Sequence, residues 1–460
     1  MKILLTHGYF MCDDEAEQRI NRPYVPLGIL YISSWLTKHG TENDVFDTTF
    51  STRHQLESHL KNEKYDVIGI YVNLVTKLSV LQLINFIRSQ EELRHTKIIL
   101  GGPDITYNIK NYLEAGADFV ISGEGEITFR ELITCIREKS SLSLCHGISF
   151  IENGKVISNP PREKIKNADD IPLPARDKID IKKYLGHFHR YHGQTSLSVS
   201  TQRGCPYTCK WCSTAVYGQS YRRRSPSKVV EELILLKKEY NVDRIWFVDD
   251  VFTVSHNWMR DFHSEIIKQN VSVEYECITR ADRLNEEMIR LLKESGCFRL
   301  WIGAESGSQK VIDAMDRRVE VGQVREMIRA AGKAGIETGT FIMLGYPGET
   351  EKDIMETVHH LKVSSPDSFT ITVAYPIKGT ALYNEVESEL YTNDNWKTST
   401  DRHYDFRRTY SRKYYNAAVR YVVNEVNFHL KKEKQGMFHP SVINNKVKSI
   451  VARTAMRFLK

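Results

Sequence analysis

The stretch Thr201-Gln202-Arg203-Gly204-Cys205-Pro206-Tyr207-Thr208-Cys209-Lys210-Trp211-Cys212 decides the fold of this 460-residue chain. It contains three of the chain's eight cysteines, Cys205, Cys209 and Cys212, with three and then two residues between them. Three thiolates can bind three irons of a 4Fe–4S cluster and leave the fourth iron open to a small molecule. A zinc site would need a fourth ligand, usually from a second Cys or His pair, and the sequence has no second close Cys pair. The spacing therefore predicts a 4Fe–4S cluster.

Composition and charge limit the class of protein. The length predicts two or three domains, and 41% hydrophobic residues are enough to build their cores. No apolar run reaches the ~18 residues of a membrane span, and the first residues turn polar too soon for a signal peptide. Clustered cysteines without a secretory signal predict a cytoplasmic location. The net charge of +6 is concentrated in residues 401–460, which hold 14 Lys or Arg against 4 Asp or Glu. The rest of the chain therefore gives no reason to expect a nucleic-acid partner.

Residues 1–145 alternate strand and helix signals, which predicts a doubly wound, Rossmann-like α/β domain with a parallel sheet. Ligands of such sheets bind at the carboxyl ends of the strands. The turn between the first strand and the first helix lacks G-x-G-x-x-G, which argues against a dinucleotide. A flavodoxin-like domain that binds nothing would also fit this pattern. The predicted strands are Lys2–Thr6, Asn43–Phe46, Val67–Val72, Ile98–Leu100 and Phe119–Ile121.

Residues 146–190 are rich in proline and charge, and we expect them to form a linker. Residues 191–390 then repeat strand and helix about six times, which predicts a partial (β/α)6 barrel of the TIM type. The cysteine stretch follows the first of these strands, at the rim where barrel enzymes carry their sites. The predicted strands are Leu197–Thr201, Arg244–Val248, Val273–Thr279, Phe298–Gly303, Glu337–Leu344 and Ser368–Ala374.

The cysteine triplet resembles the signature of the radical S-adenosylmethionine (SAM) enzymes, in which an aromatic residue also precedes the third cysteine, as Trp211 does here. Because a doubly wound domain precedes the triplet, the chain resembles the cobalamin-binding subfamily. That subfamily includes methyltransferases and the anaerobic magnesium-protoporphyrin ester oxidative cyclase. The resemblance implies that the open iron binds SAM, and that an electron from the cluster splits SAM into methionine and a 5′-deoxyadenosyl radical.

The resemblance also implies cobalamin as the ligand of the first domain. Three segments match the family there: Pro26, Leu27 and Gly28, then Gly101, Gly102 and Pro103 after the fourth strand, and Gly123, Glu124, Gly125 and Glu126 after the fifth. The domain lacks the D-x-H-x-x-G motif that supplies a histidine to cobalt, so we expect cobalamin without a histidine ligand. Its lower face would be covered by the loop after the third strand, formed by Asn73, Leu74 and Val75.

Positions at the ends of the barrel strands predict contacts to SAM. Asp249 and Asp250 end the second strand, where a carboxylate could bond the SAM amino group or simply cap a helix. Arg280 ends the third strand, and a guanidinium can grip the SAM carboxylate with two hydrogen bonds. A charged residue among small ones at a barrel rim, Glu305 followed by Ser306, favours ribose or methionine contacts. Gly345, after the fifth strand, lets the backbone approach adenine.

Residues 391–460 are predicted to be a basic helical region, with amphipathic patterns over Tyr415–Leu430 and Val442–Leu459. The second pattern mixes apolar and basic residues. One interpretation is a helix that makes peripheral contact with an anionic membrane, which would suit a lipid-like substrate. A different interpretation is a helix docked on the barrel with its cations in water.

The sequence therefore predicts a cobalamin-dependent radical SAM enzyme, most simply a C-methyltransferase. By resemblance, the radical takes a hydrogen from a small-molecule or lipid-like substrate, and the substrate carbon then receives a methyl group from cobalamin. An electron donor such as flavodoxin or ferredoxin would reduce the cluster. A radical oxidative cyclase or hydroxylase is also possible, because it needs the same cofactors. A cluster-bearing sensor without turnover is a possibility from another class.

Overall fold

The computed structural model describes residues 1–391 and 395–460, and the chain divides into two compact units. The first unit comprises Met1–Pro206, Ser213–Ile245 and 395–402. The second comprises Tyr207–Cys212, 246–391 and His403–Lys460. No helix of the described residues is both long and apolar enough to cross a membrane.

The first unit is built on a seven-stranded sheet with the order β2-β1-β3-β4-β5-β6-β7. The first five strands pair in parallel, as predicted, and the last two pair antiparallel. These last two strands were missed, and the start of the expected linker is instead a β hairpin. Its first strand has a short apolar run that is buried at one end, whereas prolines begin only after the second strand. The strands are β1 Ile3–His7, β2 Asp44–Phe46, β3 Val67–Tyr71, β4 Lys97–Gly101, β5 Phe119–Ile121, β6 Ile148–Glu152 and β7 Lys155–Ser158.

Successive side chains of a strand point to opposite faces of the sheet. Since nearly all residues of β3 are buried, both faces must be covered, and helices cover them. Ile68 and Ile70 of β3 belong to the apolar core formed with three of the helices, whereas Gly69 between them faces Phe129 of another helix. Three short strands, β8 Ser196–Val199, β9 Gln202–Arg203 and β10 Arg222–Arg223, lie further along the chain. The helices are α1 Glu15–Ile20, α2 Leu27–Lys38, α3 Arg53–Glu63, α4 Lys77–Ser89, α5 Ile109–Glu114, α6 Gly125–Glu138, α7 Ile181–His192 and α8 Pro226–Tyr240.

The second sheet has six strands in the order β15-β14-β13-β12-β11-β8, so neighbours in the sheet are also successive in the repeat. The pairs formed among β12, β13, β14 and β15 are all parallel. This confirms the partial barrel, and the predicted strands agree with the observed ones to within a few residues. The strands are β11 Arg244–Phe247, β12 Glu274–Thr279, β13 Cys297–Glu305, β14 Glu337–Leu344 and β15 Ser368–Val373. The helices are α9 His256–Lys268, α10 Glu286–Glu294, α11 Gln309–Ala314, α12 Val321–Lys333, α13 Glu351–Ser364 and α14 Ala381–Val386.

Two long helices, α15 Arg412–Gln435 and α16 Pro440–Phe458, end the second unit and pack against each other. α15 also contacts α13 and β15 of the barrel. Both amphipathic patterns of the basic region are therefore helical. α15 extends beyond its predicted bounds at both ends, and the ends of α16 lie within two residues of those predicted.

Candidate active site

At the carboxyl edge of the first sheet, glycines leave the backbone without side chains in the loops after β4 and β5. An ideal Cβ on Gly101 would meet no atom within 4 Å, so the space beside it is open. Gly102 has a φ of 120° and Gly123 a φ of 86°, values that side-chain-bearing residues rarely adopt. A Cβ on Gly102 would also collide with the carbonyl oxygen of Val72. Without side chains at Gly101, Gly102 and Gly123, the loops after β4 and β5 leave their backbone accessible, so that a flat ligand can lie against it.

The loop after β3 presents an apolar surface at the same edge. The side-chain oxygen of Asn73 accepts hydrogen bonds from the backbone nitrogens of Val75 and Thr76, both at 2.9 Å. The Asn73 amide therefore holds the turn, while Leu74 is partly exposed and Val75 is exposed. After β4, Pro103 precedes a short 3-10 turn over Asp104–Tyr107.

A histidine near this edge is already occupied. His7, at the end of β1, is buried, with its Nε2 2.9 Å from the Asp47 carboxylate and its Nδ1 3.0 Å from the Thr48 hydroxyl. Its ring therefore has no nitrogen to offer to a metal. The edge combines open glycine backbone, apolar Val75 and the buried hydroxyl of Ser122, which has no hydrogen-bond partner among the described residues. This surface fits cobalamin bound without a histidine ligand.

The two carboxylates of the segment after β5 face arginines of the first unit. Glu124 accepts hydrogen bonds from Arg222 Nη1 at 2.8 Å, from Arg203 Nη1 at 3.1 Å and from the backbone nitrogen of Ile165 at 2.8 Å. Glu126 pairs with Arg203 as well. We call this group of Glu124, Glu126, Arg203 and Arg222 the arginine clasp. Burial alone would raise the pKa of Glu124, but the hydrogen bond from Arg222 and the charge of Arg203 hold it below its usual range.

Because the carboxylates of Glu124 and Glu126 are bonded to arginines, the predicted cobalamin segment has its backbone groups, rather than these carboxylates, available to a ligand. Gly125 is the first residue of α6, and a Cβ there would lie 3.0 Å from Ile32. Neither arginine of the clasp was predicted from the sequence. Arg203 stands two residues before Cys205 and Arg222 lies on the strand paired with it, so the only available signal was the basic run Arg222-Arg223-Arg224.

The cysteine stretch begins on this same pair of short strands. Gly204 has a φ of 81°, and a Cβ there would collide with Ser220, so only glycine lets the stretch turn at this point. Cys205 then bridges to Gln219 within the first unit. In the second unit, the backbone nitrogen of Cys212 donates to the carbonyl of Cys209 at 3.1 Å, which closes a turn between these two cysteines. Cys212 is exposed, and Cys205 and Cys209 are partly exposed.

Two guanidinium groups converge on Cys209. Arg280 Nη1 and Arg317 Nη1 each lie 3.6 Å from the Cys209 sulfur. The other nitrogens of Arg280 donate to Asp282 at 2.8 Å and to the carbonyl of Arg317 at 2.7 Å, and its guanidinium carbon lies 3.9 Å from the centre of the Tyr207 ring. Arg280, predicted to bind the SAM carboxylate, is thus already satisfied by protein groups, which its position at a strand end does not reveal.

Arg317 retains a donor. Its side chain is 8% exposed, and its Nε has no hydrogen-bond partner among the described residues. Burial alone would lower the pKa of Arg317, but the nearby Glu305 carboxylate and the Cys209 sulfur raise it. A buried cation with an unused donor is suited to a carboxylate ligand. Arg317 was not predicted from the sequence, because it lies in a run of charged residues after α11 with nothing to separate it from solvent-exposed neighbours.

Glu305 is held in a strained conformation at the end of β13. The pairing of β13 with β14 shifts between Gly303 and Glu305, and Glu305 has a φ of 61°. Such bulges at strand ends re-aim a side chain and are common beside active sites. The carboxylate lies 3.9 Å from Arg317 Nη2. Burial raises the pKa of Glu305, and the charges of Arg317 and Arg280 act in the opposite direction.

Asp249 and Asp250 follow β11 and differ in exposure. Asp249 is buried, whereas Asp250 is accessible to solvent. The pKa of Asp250 is nevertheless raised, by the surrounding protein and by the like charge of Asp249.

The remaining predicted SAM residues have protein partners. The Ser306 hydroxyl is buried and lies 3.2 Å from the Thr357 hydroxyl. Gly345 has a φ of 80°, and a Cβ on it would lie 3.3 Å from the Tyr415 ring, so this ring covers it. Trp211 packs on an apolar cluster of the second unit, and its ring centre is 5.9 Å from the guanidinium carbon of Arg317.

No three His, Cys, Asp or Glu side chains in residues 1–391 and 395–460 lie close enough to hold a single metal ion. A 4Fe–4S cluster makes a different demand, because each cysteine binds its own iron and the sulfurs need not meet at one point. Three thiolates bring negative charge, and the guanidinium groups at Cys209 offset it. The residues around Cys209 therefore fit a 4Fe–4S cluster.

Two family profiles match this chain, one in the region of each sheet. The profile of the radical SAM superfamily matches residues 199–361, and that of the B12 binding domain matches residues 19–133. An uncharacterized methyltransferase of Pyrococcus horikoshii is 30% identical over 387 residues, which cover 82% of this chain and 81% of the relative. The anaerobic magnesium-protoporphyrin IX monomethyl ester cyclase of Synechocystis is 25% identical over 368 residues, which cover 78% of this chain and 72% of the relative.

A solved structure shares the fold. The cobalamin-dependent S-adenosylmethionine radical enzyme OxsB, with aqua-cobalamin bound, superposes with a TM-score of 0.77 at 17% identity, over 98% of this chain and 72% of that one. Likeness at this identity shows the fold alone, whereas the Pyrococcus relative and the two matched profiles show the family. The chain belongs to the cobalamin-binding radical SAM enzymes, and its cofactors are a 4Fe–4S cluster, SAM and cobalamin.

Proposed function

We propose that the protein is a C-methyltransferase, which places a methyl group on a carbon of a small-molecule or lipid-like substrate. The observation that carries the proposal is the pair of guanidinium groups at Cys209, beside the strained Glu305. This arrangement supplies charge for a cluster and donors for an anionic ligand in one place. Methyl transfer in particular is supported by the Pyrococcus relative, which is named a methyltransferase. A small reducing protein such as flavodoxin or ferredoxin would supply the electron.

The cysteines and the polar groups around Cys209 each have a role in this proposal. Cys205, Cys209 and Cys212 would hold the cluster. The unused Nε of Arg317 would donate to the SAM carboxylate, while Arg280 keeps the charge around Cys209 positive and braces the backbone of Arg317. When bound, the cluster supplies the electron that cleaves SAM, and cobalamin carries the methyl group.

The carboxylates would bind the polar groups of SAM. Glu305 is aimed by its bulge and held near Arg317, and a buried carboxylate in that position would accept hydrogen bonds from ribose hydroxyls or from an amino group. Asp250, which follows β11, would accept a hydrogen bond from the amino group of SAM, because its side chain is exposed to solvent. The low exposure of the Glu305 side chain, 12%, would keep water from the reacting atoms beside it.

At the first sheet, the backbone after β4 and β5 would hold cobalamin. Gly101, Gly102 and Gly123 would let the ligand approach the backbone, and Val75 would cover its lower face. Glu124 and Glu126 would act only indirectly, through the arginine clasp that fixes the segment between them.

The proposal is tested by anaerobic reconstitution without any substrate. Reduced protein loaded with cobalamin and given SAM should release S-adenosylhomocysteine in amounts stoichiometric with bound cobalamin, because the first half of methyl transfer needs no acceptor. 5′-Deoxyadenosine should also appear, and Cys209→Ala should abolish it. If 5′-deoxyadenosine forms without S-adenosylhomocysteine, methyl transfer is refuted.

That second outcome would favour a radical oxidative cyclase or hydroxylase instead. The Synechocystis relative, named a cyclase, is the observation that keeps this candidate. In such an enzyme the substrate radical would pass one electron to an acceptor such as the oxidised cluster, and the resulting cation would add water and lose a proton. SAM would therefore serve only as the radical source, and S-adenosylhomocysteine would not be a product.

A further inference from the structure

The helix α16 has two apolar faces. One of them packs on α15, as the burial of its residues shows, and Ser449 on that face donates a hydrogen bond to Glu425 of α15 at 2.7 Å. These residues recur every three or four positions, which is the period of one helix face. The buried residues are Val442, Asn445, Ser449, Ala452 and Met456. α16 is therefore docked, as one of the two interpretations expected, but on α15, which itself contacts the barrel.

The opposite face is also apolar, and it is exposed. At 100° per residue its centre lies roughly 170° from the centre of the buried face. Its members are Ile443 at 48% exposure, Val447 at 54%, Ile450 at 55%, Val451 at 64% and Phe458 at 86%. We call these five residues the outer face of α16. Single exposed apolar residues are ordinary, but a continuous stripe on one helix marks an interaction surface.

The turn before α16 extends this apolar surface. Met437 is 56% exposed and Phe438 is 88% exposed, and both lie between the end of α15 and the start of α16. An aromatic ring at the end of an apolar helix face is typical of helices that lie in a membrane interface.

The charges of α16 are of one sign. Between Pro440 and Phe458 the sequence has four cations and no acidic residue. Lys446 and Arg453 on the flank next to the buried face reach back to α15, to Glu425 at 3.1 Å and to the Tyr421 hydroxyl at 3.0 Å. The exposed Lys448 and Arg457 lie on either side of the outer face. The partner of this surface must therefore be both apolar and negatively charged.

We propose that the outer face of α16 lies on an anionic lipid bilayer, with the helix axis parallel to the membrane plane. The acyl chains would contact the apolar residues of the outer face. The negatively charged lipid headgroups would contact the cations that flank this face. A second copy of the chain fits less well, because two outer faces brought together would also bring their flanking cations together. The proposal does not depend on which reaction the enzyme performs.

The test uses the full chain and co-sedimentation with phosphatidylcholine vesicles that contain phosphatidylserine. Binding should be strong at low salt, weak with phosphatidylcholine alone, and reduced at high salt, since the Debye length falls from about 10 Å at 0.1 M to about 3 Å at 1 M. Each cation near such a surface strengthens binding about fivefold. Lys448→Gln with Arg457→Gln should therefore lower the partition coefficient about 25-fold.

The outer face itself is tested by Val447→Asn with Val451→Asn, which should also abolish sedimentation. The matched control is Leu144→Asn, which removes an apolar residue that is 81% exposed in the first unit and should change nothing. Point variants are used because deletion of α16 would uncover Val442 and Met456. Equal binding of all variants would overturn the proposal. So would a dimer in sedimentation velocity that the Val447 and Val451 changes dissociate, since the partner would then be a second copy.

Discussion

The replacement Glu124→Gln distinguishes two roles for a residue in the predicted cobalamin segment. Glu124 receives hydrogen bonds from Arg222, Arg203 and the Ile165 backbone, and its side chain is 5% exposed. Removing one partner of a buried ion pair costs about 3–5 kcal/mol, because the opposite charge stays buried. Glutamine keeps one acceptor oxygen, which is worth about 1 kcal/mol. We therefore expect the variant to lose about 2–4 kcal/mol of unfolding free energy.

The assay is urea unfolding of the protein without cobalamin, so that ligand binding cannot contribute. The pKa of Glu124 is lowered in the folded protein, which means that its contribution is present above the unfolded pKa and is lost as pH falls through the folded value. The difference between wild type and variant should therefore be constant near neutral pH and shrink in acid. Glu63→Gln is the matched control, because the Lys2–Glu63 pair is exposed and should contribute almost nothing. Unchanged stability together with weakened cobalamin binding would refute the arginine clasp and make Glu124 a direct ligand contact.

Three further predictions concern the cofactors. Replacing Cys205, Cys209 or Cys212 by Ala should abolish SAM cleavage and the intact cluster, and a triple variant with a full iron complement would contradict the cluster assignment. Arg317→Gln should weaken SAM binding about 10- to 150-fold, as expected for one charge-assisted hydrogen bond. Arg280→Gln should reduce SAM affinity less but lower the iron content of the protein more. If titration calorimetry shows the larger loss of SAM affinity for Arg280→Gln, the two arginines exchange roles. Bound hydroxocobalamin, reduced to the Co(II) form, should show no nitrogen superhyperfine splitting from a protein imidazole, and a clear histidine signal would mean that the lower face is misassigned.

The sequence by itself determined the order of the two sheets and singled out the three cysteines as the predicted cluster ligands. Strand and helix periods are local properties, so apolar runs such as those of β3 and β14 fixed their elements to within a residue or two. The cysteine spacing is also local, because one short turn carries two of the three predicted ligands. The hairpin of β6 and β7 was missed although its turn, Asn153-Gly154, is a local hairpin signal, because the prolines and charges that follow favoured a linker.

Only the tertiary structure decided which charged side chains are available for ligands. Arg280, at a strand end, was the natural candidate for the SAM carboxylate, but its nitrogens are engaged by neighbours. Arg317, 37 residues away, retains a donor. Glu124 was likewise predicted to contact cobalamin, and its carboxylate is engaged by two arginines that lie 79 and 98 positions later in the chain. The two faces of α16 obey the same helical period in the sequence, and only packing against α15 shows which face remains exposed. Long-range pairing is invisible to a local pattern, because a charged residue's partner is set by the fold and not by its neighbours in the chain.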